Sequence, residues 1–121
     1  NTHLGLDERE RHWQVEAILT HQLFQPSQAI PTIIAGDFND WRNTLAERSL
    51  ANRGFQQVTS PPSEFRSFPS WLPVGGLDKI FYRGNVTMND ARVVRTSLAR
   101  IASDHLPIVV DFSLEQGVSR L

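Results

Sequence analysis

Apolar positions recur in three rhythms along this chain. After Asp7, the residues Val15, Ile18, Leu19 and Leu23 repeat at helical spacing, which predicts an amphipathic helix over about residues 7–24. Asp7 followed by Glu10 is a capping-box start for it. Pro26 and Pro31 bracket the loop that ends this helix. The run Thr32-Ile33-Ile34-Ala35-Gly36 is apolar on both faces and short, the mark of an interior strand. A second helix is predicted over about residues 43–52, closed by Gly54. Leu77-Asp78-Lys79-Ile80-Phe81-Tyr82 reads as a strand, and Gly84-Asn85 as a turn into another strand near residues 91–96. Over residues 106–114 the alternation is strict: Leu106, Ile108, Val110, Phe112 and Leu114 point one way, Val109, Asp111 and Ser113 the other. Asn1-Thr2-His3-Leu4 reads as the end of a further strand. The order strand, helix, strand, helix, then several strands predicts an α/β domain with a mixed β-sheet and flanking helices.

Between these elements, residues 60–76 show no period. They hold Pro61, Pro62, Pro69, Pro73, Gly75 and Gly76, interleaved with Phe65, Phe68 and Trp71. An irregular stretch this long in a compact domain more often carries function than not. Its aromatic residues could stack on a base, touch lipid or anchor the loop on the core.

Composition narrows the classes. With 121 residues, 40% of them hydrophobic and 21% charged, the chain suits one globular domain with a real core. A net charge of -1 gives no basic excess for nucleic acid, although a local patch or a metal ion can replace one. The absence of cysteine removes disulfides, thiolate metal sites and cysteine nucleophiles. It fits the reducing cytoplasm, the expected location, and equally a bacterial periplasm. No apolar stretch approaches the ~20 residues that span a bilayer.

The candidate chemistry sits at strand ends, where the loops of an α/β sheet converge on ligands. His3 lies in the first strand. Asp37 and Asn39 follow the interior strand, Asp78 opens the strand after Gly75-Gly76, and Asp104-His105 precede the last strand. Asp and Asn oxygens suit Mg²⁺ or Mn²⁺. A histidine paired with a carboxylate can take a proton from water. Together they describe metal-assisted hydrolysis of a phosphate ester. Singly, each has a plainer reading. Asp37 and Asn39 can satisfy turn amides, Asp78 can pair with Lys79 or Arg83, Asp104-His105 can cap a turn, and His3 can be a partly buried, satisfied histidine. Arg42, Arg66 and Arg83 are candidate phosphate contacts, Arg66 foremost because it lies in the aromatic loop.

Four segments in order, Asn-Thr-His-Leu, Gly-Asp-Phe-Asn, Leu-Asp-Lys-Ile-Phe-Tyr and Ser-Asp-His-Leu-Pro-Ile, resemble the motifs of the endonuclease/exonuclease/phosphatase family. The loop Arg66-Ser67-Phe68-Pro69-Ser70-Trp71 is most similar to its small, poorly characterised bacterial members. The resemblance implies a deoxyribonuclease I-like four-layered α/β sandwich and a metal-dependent phosphoester hydrolase, a nuclease, phosphodiesterase or phosphatase. It implies His105 as general base or phosphate-contacting electrophile, Asp78 as its orienting partner, and His3 as a second catalytic histidine. Asp37 would activate the nucleophile or assist the leaving group, and Asn39 would hold a phosphoryl oxygen. Asp104, Asp37 and Asn39 would serve the metal. A non-catalytic binding module of the same fold is the alternative, as is a phospholipid or sugar-phosphate substrate in place of nucleic acid. The family's metal-binding Glu and a phosphate-contacting Asn lie in the first half of its domain. The resemblance therefore equates residues 1–115 with the C-terminal portion, with 116–121 as a tail. It implies a missing N-terminal half as partner, an exposed inner sheet face prone to self-association, and weak or absent activity in this chain alone.

Overall fold

A computed structural model describes residues 1–21 and 30–115. The strands are β1 (Thr2–His3), β2 (Thr32–Asp37), β3 (Gln56–Gln57), β4 (Asp78–Arg83), β5 (Val86–Val93) and β6 (Ile108–Leu114). The helices are α1 (Glu8–Thr20) and α2 (Ser97–Ala102). A mixed sheet runs in the order β1-β2-β4-β3, with β1 parallel to β2 and the other neighbours antiparallel. β5 and β6 form a separate two-stranded antiparallel sheet whose register slips between Met88 and Asp90.

Asp7 caps α1 by accepting from the amides of Arg9 and Glu10. The Glu10 carboxylate does not return to the cap; it folds over Gly5 and accepts from Gln14. The buried stripe of α1 is Arg11, Val15 and Leu19. Arg11 joins it because its guanidinium donates to the carbonyls of Gly5 and Leu6. Leu23 and Pro26, expected in and after this helix, lie outside the described residues, as does the expected tail at 116–121.

Val15 and Leu19 pack with Ile34, Phe38, Leu45 and Phe81 into one core between helix and sheet. Phe38 and Phe81 meet edge to face at 5.2 Å. The expected second helix is irregular: a wide π-type turn over Ala46–Leu50 continues as a tight 3-10 turn over Ala51–Arg53. His12 reaches from α1 to Ser49 and Thr44, tying the two helical segments together. Gly54 ends the second in the left-handed region at φ 79°, as its position predicts.

Three boundaries differ from the sequence reading. β5 starts at Val86 rather than near 91, because Asn89 and the slip beside it break the alternation that marks a strand. α2 is a strand-to-strand helix of six residues, too short to show a period. β6 begins at Ile108; Leu106 is buried ahead of it, while Phe112 and Leu114 at its far end are exposed.

Gly36 fixes the place where β1 joins the sheet. It has φ 152°, and a Cβ there would sit 1.8 Å from the carbonyl oxygen of Thr2, its register partner. Gly36→Ala therefore has to push β1 away. A loss of about 2–3 kcal/mol is expected, against about 1 kcal/mol for Gly54→Ala, whose added methyl meets only the Arg83 side chain. Urea unfolding midpoints of the two variants check this ordering.

Candidate active site

Asp37 ends β2 and Asp78 opens β4, and the two are direct partners in the antiparallel register. Period-two alternation sends both side chains out of the same sheet face, opposite the one that carries Phe81. Two carboxylates in that relation repel. The group that joins them is His105, delivered by the loop between α2 and β6.

His105 Nδ1 lies 2.6 Å from Asp78 Oδ2, and Nε2 lies 3.7 Å from Asp37 Oδ2. A carboxylate can only accept, so Nδ1 carries the proton. In the neutral ring the Nε2 lone pair then faces Asp37 and the cleft. The Ser67 hydroxyl, fully buried, donates to the same Asp78 oxygen. The Ser67 carbonyl accepts from Leu106 N at 2.8 Å, and the Phe68 ring lies 4.8 Å from the imidazole centroid. The aromatic loop thus buttresses the histidine on one side while Asp78 holds it on the other.

Burial disfavours the imidazolium. The hydrogen bond to Asp78, with the charges of Asp78, Asp37 and Asp104, outweighs it and raises the His105 pKa above the ordinary histidine value. Asp37, Asp78 and His105 present ligand atoms all within 4.8 Å of one another. They line a cleft of about 420 Å³ with Asn1, Ala35 and Ile80.

The other candidates stand around this trio. His3 is 75% exposed with Nε2 3.6 Å from Asp37 Oδ2. Asn39, at φ 48°, donates its amide to Asp37 Oδ1 at 2.9 Å, and its carboxamide nitrogen donates to Leu4 O at 2.5 Å. It fixes the Asp37 carboxylate and pins the loop to β1. Asp104 is exposed; its backbone carbonyl accepts from Ser70 N, and its carboxylate acts on His105 through charge. Arg66 is exposed beside Ser67 and outside the lining of the cleft. Arg83 lies at the far end of β4, over the Phe55 ring. Nothing in the sequence marks Ser67 and Phe68 as site residues beyond their place in the long aperiodic loop.

A mixed sheet with α1 and the second helical segment packed on one face and a carboxylate–histidine cluster at its strand ends defines an α/β domain with a polar strand-end site. Residues 1–105 match the endonuclease/exonuclease/phosphatase family, and the chain belongs to it. It is 37% identical over 87 residues to a UPF0294 protein of Vibrio campbellii, a match covering 69% of this chain and 28% of that protein. It is 29% identical over 114 residues to the uncharacterized protein YbhP of Escherichia coli K12, covering 93% of this chain and 44% of YbhP. The chain thus spans less than half the length of these bacterial relatives. The crystal structure of an endonuclease/exonuclease/phosphatase from Beutenbergia cavernae superposes with a TM-score of 0.75 at 20% identity, over 93% of this chain and 34% of that one. The expected fold family is thereby established. Among the described residues no helix is long and apolar enough to cross a membrane.

Because the folded His105 pKa is raised, its ion pairs add stability that is complete below about pH 6.5, the unfolded value, and is lost as pH rises through the folded value. Asp78→Asn removes the main charge that opposes burial. In an NMR titration of the ring protons, the His105 pKa of this variant falls below that of the wild type. The urea midpoints of the two proteins then differ more at pH 5.5 than at pH 9.

Proposed function

We propose that the cleft hydrolyses a phosphate ester, with His105 as proton acceptor for the attacking water. The observation that carries this reading is the placement of His105 between Asp78 and Asp37, with Nδ1 engaged and Nε2 turned to the cleft. Nε2 takes the proton of water, and the resulting imidazolium is held by Asp78 on one side and faces Asp37 on the other. Ser67 keeps the Asp78 carboxylate in place through the transfer.

The donor set fits a hard divalent cation. Asp78 Oδ2 is committed to Ser67 and His105, whereas Asp37 Oδ2 borders the cleft with the imidazoles of His3 and His105 at 3.6 and 3.7 Å, beyond hydrogen-bond length. Asp37 would hold Mg²⁺ or Mn²⁺, with Asn39 and Asp104 as further oxygen donors. Mg²⁺ is commonly bound by one or two carboxylates completed by water and substrate oxygens. Such an ion, when bound, neutralises charge on the phosphoryl oxygens. His3, beside Asp37, would contact the leaving group or a phosphoryl oxygen, and Arg66 would meet the substrate's periphery.

We propose further that this unit works with a preceding half-domain seated on the sheet face that carries Ile33, Ala35 and Ile80. Support comes from the partial exposure of those residues and from the greater length of the relatives. On this reading the 121-residue chain alone hydrolyses poorly and self-associates through the same face.

Hydrolysis of a phosphodiester such as bis(p-nitrophenyl) phosphate, and of a phosphomonoester, is measured with Mg²⁺ or Mn²⁺ in a protein of the relatives' length. His105→Ala lowers kcat by about 10²–10⁴-fold. The wild-type rate rises with pH to a plateau as His105 loses its proton, because the base must be neutral. A rate that falls over that range assigns His105 the electrophile's role instead. Activity unchanged in His105→Ala excludes both roles.

A further inference from the structure

The loop that buttresses His105 ends in an apolar tip that the catalytic reading does not use. Its base is clamped: Phe68 and Gly75 form a bridge, with Ser67 N and Phe68 N donating to Gly75 O and Val74 N and Gly75 N donating to Phe68 O. Leu72 N closes a turn onto Pro69 O. The tip is also fastened to α2. Ser70 Oγ donates to Arg100 O at 2.9 Å, and Ser70 N to Asp104 O at 2.7 Å. Tip and helix are therefore one braced unit. From it Trp71, Leu72 and Val74 project with 71%, 57% and 56% of their surface exposed, and from α2 Leu98 and Ile101 with 72% and 82%. Leu98 and Ile101 are three apart and share one helical face.

Burying none of five large apolar side chains on a braced surface needs a reason. Charge supplies the direction. Between Phe65 and Val74 the only charged residue is Arg66, and between Val94 and Ser103 the only ones are Arg95 and Arg100. All three arginines are exposed. The acidic residues Glu64 and Asp104 adjoin these segments at the clamped base, so the three arginines outnumber the carboxylates around the apolar tip and α2.

We propose that the tip Trp71–Val74 and the outer face of α2 form a docking surface for an anionic lipid bilayer. Trp is favoured at the boundary between headgroups and acyl chains, aliphatic side chains enter the apolar layer, and arginines pair with anionic headgroups. The aliphatic majority argues against a single-stranded nucleic acid, whose bases would stack on Trp71 and leave Leu72, Val74, Leu98 and Ile101 wet. A two-fold contact between copies would bring like-charged arginines together. Because the same loop holds Ser67 and Phe68 against the Asp78–His105 pair, docking would set the cleft beside the membrane surface. The inference concerns binding and stands whether or not the cleft hydrolyses a phosphoester.

The test is flotation of the protein with vesicles of phosphatidylcholine alone and of phosphatidylcholine with about a third phosphatidylglycerol. Binding to the anionic vesicles, falling steeply with salt, is expected, together with quenching of Trp emission by brominated lipid. Trp71→Ala and the double variant Leu98→Ser/Ile101→Ser each reduce partitioning about tenfold. Arg95→Gln/Arg100→Gln flattens the salt dependence. Trp13→Phe, at an equally exposed Trp on α1, leaves binding unchanged. Circular dichroism confirms that the variants fold. The proposal is overturned by absence of vesicle binding, by binding indifferent to the Trp71 and Leu98/Ile101 changes, by Trp71-dependent binding of an oligonucleotide without vesicle binding, or by a patch-dependent dimer in sedimentation that does not float.

Discussion

The site depends on one electrostatic problem, that of holding two carboxylates opposite each other on neighbouring strands. The β2–β4 register leaves Asp37 and Asp78 no choice about facing one another. Like charges directly opposed weaken a sheet. A cation between them turns the penalty into a binding site. His105, when protonated, fills that role from a distant part of the chain: burial works against its charge, and the hydrogen bond to Asp78 with the charges of Asp78, Asp37 and Asp104 outweighs it. The loop 60–76 supplies Ser67 under Asp78 and Phe68 against the ring, and the Leu106–Ser67 backbone bond fixes the spacing.

Behind the site, the other face of β4 carries a second polar cluster. Lys79 alternates with Asp78 and so points to the helix side, where it is only 2% exposed. Burial lowers its pKa, opposed by the charges of Asp40 and Asp78. Its ammonium donates to Asn43, which exchanges hydrogen bonds with Gln57, itself tied to Thr59. Asp40, fully buried, accepts from the amides of Thr44 and Leu45 and starts the second helical segment. A buried charge left half-satisfied is expensive, so this network holds residues 39–45 in a single arrangement. That loop is the one whose Asn39 amide fixes Asp37.

Much of this was readable beforehand, and the rest was hidden for physical reasons. The interior strand over 32–36, the Gly54 stop, the strand at 78 and the last strand all announce themselves through local periodicity or turn chemistry. Asp37, Asp78 and His105 were legible because each stands at the end of such a strand. Ser67 and Phe68 were not, since a serine and a phenylalanine in an aperiodic loop look like any others until the loop is folded against Asp78. Lys79 was hidden by the opposite error: a lysine in a strand reads as a solvent-facing charge, and only the cluster around Asn43 explains its burial. The start of β5 was lost to a bulge, and α2 to its brevity. The apolar tip at Trp71 was visible as composition, but its bracing against α2 rests on backbone bonds that no pattern of side chains encodes.

The claim on which the site stands is the Nδ1–H bond from His105 to Asp78, with Nε2 left as the acceptor. Nitrogen-15 NMR of the imidazole, at a pH above its titration, reads this tautomer directly. The account predicts a protonated Nδ1 whose proton is strongly downfield and protected from exchange, and an Nε2 shift typical of an unprotonated ring nitrogen. A neutral His105 protonated at Nε2, with Nδ1 bare, would contradict it.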